Sequence, residues 1–122
     1  MLARGQGKIV FTASMLSFQG GLLVTPYAAS KSGVAGLARA FINEWASREK
    51  SVYGLALGYV ATNLTEALRA DSVRSEEILE RIPEGHLVPP SDFGGPLVFI
   101  CSQAANYIHG AILTVDGGWL AR

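Results

Sequence analysis

The 122-residue sequence has a single cysteine, Cys101, and two histidines, His86 and His109. One thiol excludes an internal disulfide and a thiol-rich metal site. The histidines lie far apart with no ligand-like spacing around either, so no metal centre is expected. Formal net charge is zero, and the ten basic residues are scattered. That argues against nucleic acid or an anionic membrane surface as partner. There is no apolar stretch of about 20 residues and no basic-then-apolar leader, so no membrane partner is expected and the expected location is cytoplasmic.

Charged residues make up only 16% of the chain and apolar ones 49%, a balance that can bury a core and does not suit a disordered segment. The length suits one domain rather than two. Val98, Phe99 and Ile100 beside Cys101 suggest a buried packing thiol.

Short runs of β-branched residues alternate with helical patterns. Ile9 to Ala13 reads as a buried strand ended by Ser14. Met15 to Thr25 holds Gly20 and Gly21 and reads as a loop. From Pro26 to Ser47, Val34, Leu37, Phe41 and Trp45 recur at helical spacing and predict an apolar stripe. A second stripe on that helix is small and includes Gly33 and Gly36. Each mid-helix glycine costs about 1 kcal/mol against alanine, which suggests close approach of a strand below or a partner helix above.

Ser51 to Ala56 reads as a second strand. Two short helices are expected between Thr62 and His86, parted near Asp71-Ser72, the second spanning Glu76 to Ile82 as a solvated cover. Ser91-Asp92 is a plausible N-cap for a helix to about Ser102, and Ala111 to Val115 a last strand. The order β-α-β-(αα)-α-β predicts an α/β fold, a parallel sheet covered on both faces.

The chemistry gathers in Y-A-A-S-K. Tyr27 and Lys31 are four residues apart and share one helix face, with Ser14 upstream at a strand end. An ammonium beside a phenol favours the ionised form of a group whose ordinary pKa, about 10, is too high for base catalysis at neutral pH. A serine hydroxyl nearby can donate to an oxygen on which charge develops. A Tyr–Lys pair at this spacing is commonly just a surface pair, so its meaning depends on the segments around it. A serine-hydrolase reading of Ser14 finds no G-x-S-x-G elbow.

Taken together, G-K-I-V-F-T-A-S, Y-A-A-S-K-S-G-V, L-G-Y-V-A-T-N and V-D-G-G-W-L-A-R resemble the short-chain dehydrogenase/reductase family, closest to its sugar-acid members. The resemblance implies the C-terminal half of a Rossmann-like doubly wound parallel sheet, with residues 1–122 a single partial domain lacking the N-terminal glycine-rich dinucleotide-binding half. It implies an oxidoreductase using NAD or NADP on a keto or hydroxy sugar acid. Ser14, Tyr27 and Lys31 would be catalytic. Tyr27 would be the acid/base, Lys31 would assist it and bind the nicotinamide ribose, and Ser14 would polarise the carbonyl. Gly58, Val60 and Thr62 would join Tyr27 and Lys31 in holding the cofactor, and Asn63 to His86 would form the substrate lid. The family's habit of forming homo-oligomers through the Y-x-x-x-K helix and the last helix and strand leaves an alternative, an inactive fragment serving as an interaction module.

Two segments depart from the family pattern. Leu57-Gly58 stands where Pro-Gly is usual, and His86-Leu87-Val88 replaces a basic-aromatic-glycine sequence. Gly5-Gln6-Gly7 precedes a strand instead of coming after one, the wrong context for a phosphate loop. The first residues, Met-Leu-Ala-Arg-Gly-Gln-Gly-Lys, read as the interior of a longer parent. Trp119 is open among core, interface and pocket wall. Arg69, Arg74 and Arg81 read first as lid surface, with a substrate carboxylate as the other option. Asp116 reads as a turn device.

Overall fold

A computed structural model describes Met1 and residues 5–122. Leu2, Ala3 and Arg4, part of the segment that reads as the interior of a longer chain, lie outside the described residues. The elements are β1 (Gly7–Ser14), α1 (Thr25–Trp45), β2 (Lys50–Leu57), α2 (Glu66–Ala70), α3 (Ser72–Arg81), α4 (Gly94–Cys101) and β3 (Ile112–Val115). The strands form one parallel sheet in the order β1-β2-β3. Parallel neighbours need a crossover between them, and α1 and α4 lie in those crossovers.

The central strand is buried on both faces, as a doubly covered sheet requires. Alternation along β2 sends Tyr53 and Leu55 one way and Val52 and Ala56 the other. Tyr53 and Leu55 pack with Ile100 of α4 and with Ala105, and the Tyr53 hydroxyl donates to the Ala105 carbonyl at 2.6 Å. Helix α1 covers the opposite face, touching β1 and β2. Its fully buried residues are Ala35 and Ala38, whose small side chains let the helix lie close to the sheet. Burying a side chain such as Val52 contributes about 1.5–3 kcal/mol.

Strand register brings three chain segments to one edge of the sheet. Ser14 pairs with Leu57, and Leu57 with Val115, so the three strands end level. The segments after them, beginning at Met15, Gly58 and Asp116, therefore leave from one edge. In open α/β sheets that carboxyl edge is where ligands sit. At the other edge Lys8 donates to the carbonyls of Ile100 and Ser102, closing the end of α4 with a cation.

Several sequence expectations change. Cys101 is exposed, because α4 turns Ile100 inward and the next residue is rotated about 100° away. Ser91 and Asp92 lie inside a 3-10 turn, Pro90–Phe93, that precedes α4, so neither is its N-cap. Helix α3 starts at Ser72, with the Asp71 carboxylate accepting from Arg74 N at 3.1 Å. It is more than a solvated cover, since Ile78 is buried there and Ile82 just after it. On α1 the sheet-facing positions are the alanines, while Leu37 of the expected stripe is exposed. Trp45 stacks on Phe41 at 4.2 Å. A Cβ on Gly33 or Gly36 would meet nothing within 4 Å, so the close backbone expected there is absent among the described residues.

Candidate active site

Ser14 ends β1 in extended conformation and opens a 3-10 turn over Met15–Ser17. It is 5% exposed. Its Oγ accepts from Leu16 N at 3.2 Å, while its own N–H donates to Ser17 Oγ at 3.3 Å. A hydroxyl that accepts through one lone pair still has its proton to give, and no described acceptor takes it.

Ser17 ties this turn to α1 by donating to the Lys31 carbonyl at 2.7 Å. Ser32 Oγ adds a bond to the Leu16 carbonyl at 3.3 Å. The start of α1 is set by Pro26 in its first turn, where the missing N–H has no cost. Tyr27 comes next, 43% exposed. Lys31, one turn on, donates from Nζ to the Thr12 carbonyl at 2.8 Å, and the same ammonium lies over the Tyr27 ring, 5.5 Å from its centroid. Backbone of β1 thus fixes the cation, and the cation lies against the aromatic ring. The Tyr27 hydroxyl bonds to no described residue.

The expected cofactor residues leave from β2. Gly58 N donates to the Val115 carbonyl at 3.0 Å. A Cβ at Gly58 would stand 2.7 Å from Asp116 Cα, so glycine is required where β2 and β3 converge. Leu57, in place of the usual proline, is held in the ladder and packs with the Tyr53 cluster. Val60 forms a lone parallel bridge with Val88, carried by Ala61 N to the Val88 carbonyl and Val88 N to the Tyr59 carbonyl, both 3.0 Å. Val60 and Thr62 are half-buried. Thr62 N donates to Thr65 Oγ1 at 3.2 Å, and that hydroxyl donates to the Val60 carbonyl at 2.6 Å.

Sequence reasoning brought out Ser14, Tyr27 and Lys31 but missed Ser17 and Thr65, which lock the two loops. The signal was present as a repeated S/T-x-x-S/T, Ser14–Ser17 and Thr62–Thr65, a variant of the capping-box spacing. The structure joins Tyr27 to Lys31 directly, and links Ser14 to Lys31 through Ser17. It forms no direct hydrogen bond from Ser14 to Tyr27, and none from either to Gly58, Val60 or Thr62.

Trp119 is buried against Met15, Leu16, Ile78 and Ile82, with Ala28 and Tyr59 packed on the same cluster. It is therefore core beneath the site, between the end of α3 and the turn after Ser14. Asp116 is the turn device expected, accepting from Gly118 N at 3.0 Å and Leu120 N at 3.1 Å. Arg69 donates to the Thr62 carbonyl at 3.1 Å, and Arg69, Arg74 and Arg81 are all exposed. No described group of His, Cys, Asp and Glu is arranged to hold a metal. No described helix is long and apolar enough to cross a membrane.

Known proteins match this chain in both sequence and fold. The family profile described as enoyl-(acyl carrier protein) reductase, of the short-chain dehydrogenase type, matches residues 1–120. Over 99% of its length the chain is 56% identical to 2-dehydro-3-deoxy-D-gluconate 5-dehydrogenase of Escherichia coli, of which it covers 48%. A Beutenbergia cavernae protein, a candidate NAD(P)-dependent gluconate 5-dehydrogenase crystallised with NADP at low occupancy, superposes with a TM-score of 0.98 at 58% identity. That match covers all of this chain and 49% of the other. Gluconate 5-dehydrogenase of Burkholderia cenocepacia, in complex with NADP and tartrate, superposes at 0.97 with 34% identity over 99% of this chain and 48% of its own. The chain spans about half the length of the relatives it matches. It belongs to the short-chain dehydrogenase/reductase family.

Proposed function

We propose that this chain carries the proton-handling, nicotinamide-facing part of an NAD(P)-dependent oxidoreductase that acts on a hydroxyl or ketone of a gluconate- or deoxygluconate-type sugar acid. The observation that carries the reading is Lys31, pinned to the Thr12 carbonyl and set against Tyr27, and linked through Ser17 to Ser14, whose hydroxyl proton is uncommitted. The names of the relatives supply the substrate class.

Each residue has a physical task. Tyr27 gives a proton to the forming alkoxide in reduction and takes it back in oxidation. Lys31 holds positive charge beside the ring, stabilises developing phenolate, and offers its remaining N–H groups to the nicotinamide ribose. Ser14 donates to the carbonyl oxygen, where charge builds. The Gly58–Thr62 segment presents backbone and the Thr62 hydroxyl to the nicotinamide carboxamide and pyrophosphate.

These residues fit the nicotinamide end of the cofactor: an anchored cation, an exposed phenol ring and a half-buried loop meet at the carboxyl edge of a parallel sheet. When bound, the cofactor supplies or accepts hydride. The Asn63–His86 arm covers the site and excludes water. The outer faces of α1, with Gly33 and Gly36 open, and of α4, with Val98 70% exposed, are the surfaces through which copies would associate.

Calorimetric titration of NADPH and NADH into the purified chain, followed by an absorbance assay with 5-keto-D-gluconate, tests the reading. Micromolar nucleotide binding and Tyr27-dependent oxidation are expected. A folded chain that binds neither nucleotide contradicts it.

A further inference from the structure

We infer that Arg81 and Gln19, backed by Trp119, form the subsite that takes the carboxylate of the sugar acid. The inference rests on the proposed oxidoreductase function for its substrate class, and on separate residues for its geometry.

Arg81 is the last residue of α3. Though Arg81 is exposed, its guanidinium has a fixed seat: Cζ lies 4.1 Å from the centroid of the Trp119 ring, and Nη2 reaches Gln19 Oε1 at 3.5 Å. No described carboxylate pairs with it. The lid's other cations differ, since Arg69 donates to the Thr62 carbonyl and no described aromatic ring seats Arg69 or Arg74. Trp119 itself is buried, and its Nε1–H has no hydrogen-bond partner among the described residues.

The pair is tied to the segments that carry the proposed catalytic residues. Trp119 packs with Met15 and Leu16, which come after Ser14, with Ala28, next to Tyr27, and with Tyr59, next to Gly58. Gln19 lines an open surface groove of about 460 Å³ with Ser17, Thr25, Ala28 and Ala29. Gln19 therefore borders an open groove along the start of α1, and Arg81 reaches its rim from the lid through Gln19 and Trp119.

The chemistry favours an anion there. A guanidinium presents a planar fork that matches a carboxylate bidentately. Stacking on Trp119 holds that fork in advance, so less side-chain freedom is lost on binding. Gln19, accepting from Arg81 through Oε1, keeps its amide N–H groups to donate. A neutral polyol would gain none of the charge term, so the subsite selects sugar acids over sugar alcohols.

The test is titration of D-gluconate and its uncharged amide, gluconamide, into the wild-type chain and into Arg81→Met and Arg81→Lys, with thermal unfolding as a folding control. Wild type should prefer gluconate about tenfold or more. Arg81→Met should erase that preference while keeping gluconamide affinity, and Arg81→Lys should restore only part of it. Equal binding of both ligands by wild type, or a preference that survives Arg81→Met, would overturn the inference. The two proposals fail separately. Gluconate preference through Arg81 without NADPH oxidation would sink the oxidoreductase and keep the subsite. Turnover with an unchanged KM for 5-keto-D-gluconate in Arg81→Met would do the reverse.

Discussion

The β1–α1 side of the site and the Tyr59–Leu87 arm reach the same strand edge by different means. On the first side, functional groups are fixed to the sheet itself: Lys31 to Thr12, Ser17 to Lys31, and Ser14 by its place at the end of β1. The arm is bridged once to the strand edge, Val60 to Val88, is closed in its first turn by the Thr65 hydroxyl, and rests on Trp119 through Ile78 and Ile82. On the proposed function the first side holds the proton-transfer geometry. On the same reading the second is the cover over the site, and its seat on the Trp119 cluster through Ile78 and Ile82 sets the cost of opening it. Substitutions on the two sides should therefore separate into effects on kcat and effects on KM.

The largest effect is expected at Tyr27. Tyr27→Phe should lower kcat by about 10²–10⁴-fold and leave the melting temperature unchanged, because the hydroxyl bonds to no described residue. Next is Gly58→Ala, whose Cβ would meet Asp116 backbone at 2.7 Å. Overpacking of this kind costs about 1–3 kcal/mol, readable as a lower denaturant midpoint. Ser17→Ala and Thr65→Val should each cost about 1 kcal/mol and sharpen the comparison most. Ser17→Ala should lower kcat by loosening Lys31, whereas Thr65→Val should raise KM for the nucleotide. The reverse pattern would break the distinction. Smallest is Gly36→Ala, which should stabilise the isolated chain by about 0.5–1 kcal/mol, since its Cβ meets nothing within 4 Å. Loss of association in the same variant would show that the open face of α1 receives another copy.

Much of this was legible in the sequence because the elements carry strong local signals. The strand Ile9–Ala13 is β-branched and short, and the helix from Pro26 has both a start signal and helical spacing. The α/β order and parallel sheet came from alternation alone. Three things were not legible. The exposure of Cys101 depends on how far α4 rotates as it docks, which an all-apolar helix does not declare. The buried faces of α1 turned out to be Ala35 and Ala38 because close packing on a sheet rewards small residues over large ones. The meeting of Arg81, Trp119 and Gln19 joins three distant segments, and no local pattern encodes that. The family's Ser, Tyr and Lys positions were recognisable from resemblance, while the supporting hydroxyls of Ser17 and Thr65 left only a weak S/T-x-x-S/T spacing as their signal.

The most direct test is transfer of label from NADPH deuterated at the nicotinamide C4 to 5-keto-D-gluconate, with mass spectrometry of the product for wild type and Tyr27→Phe. Deuterium should appear in the hydroxy acid made by wild type, and at least about a hundredfold more slowly with Tyr27→Phe at equal thermal stability. Equal rates in the two proteins, or no deuterium transferred by a folded chain that binds the nucleotide, would contradict the assignment of Tyr27 as the proton donor of a hydride-transfer reaction.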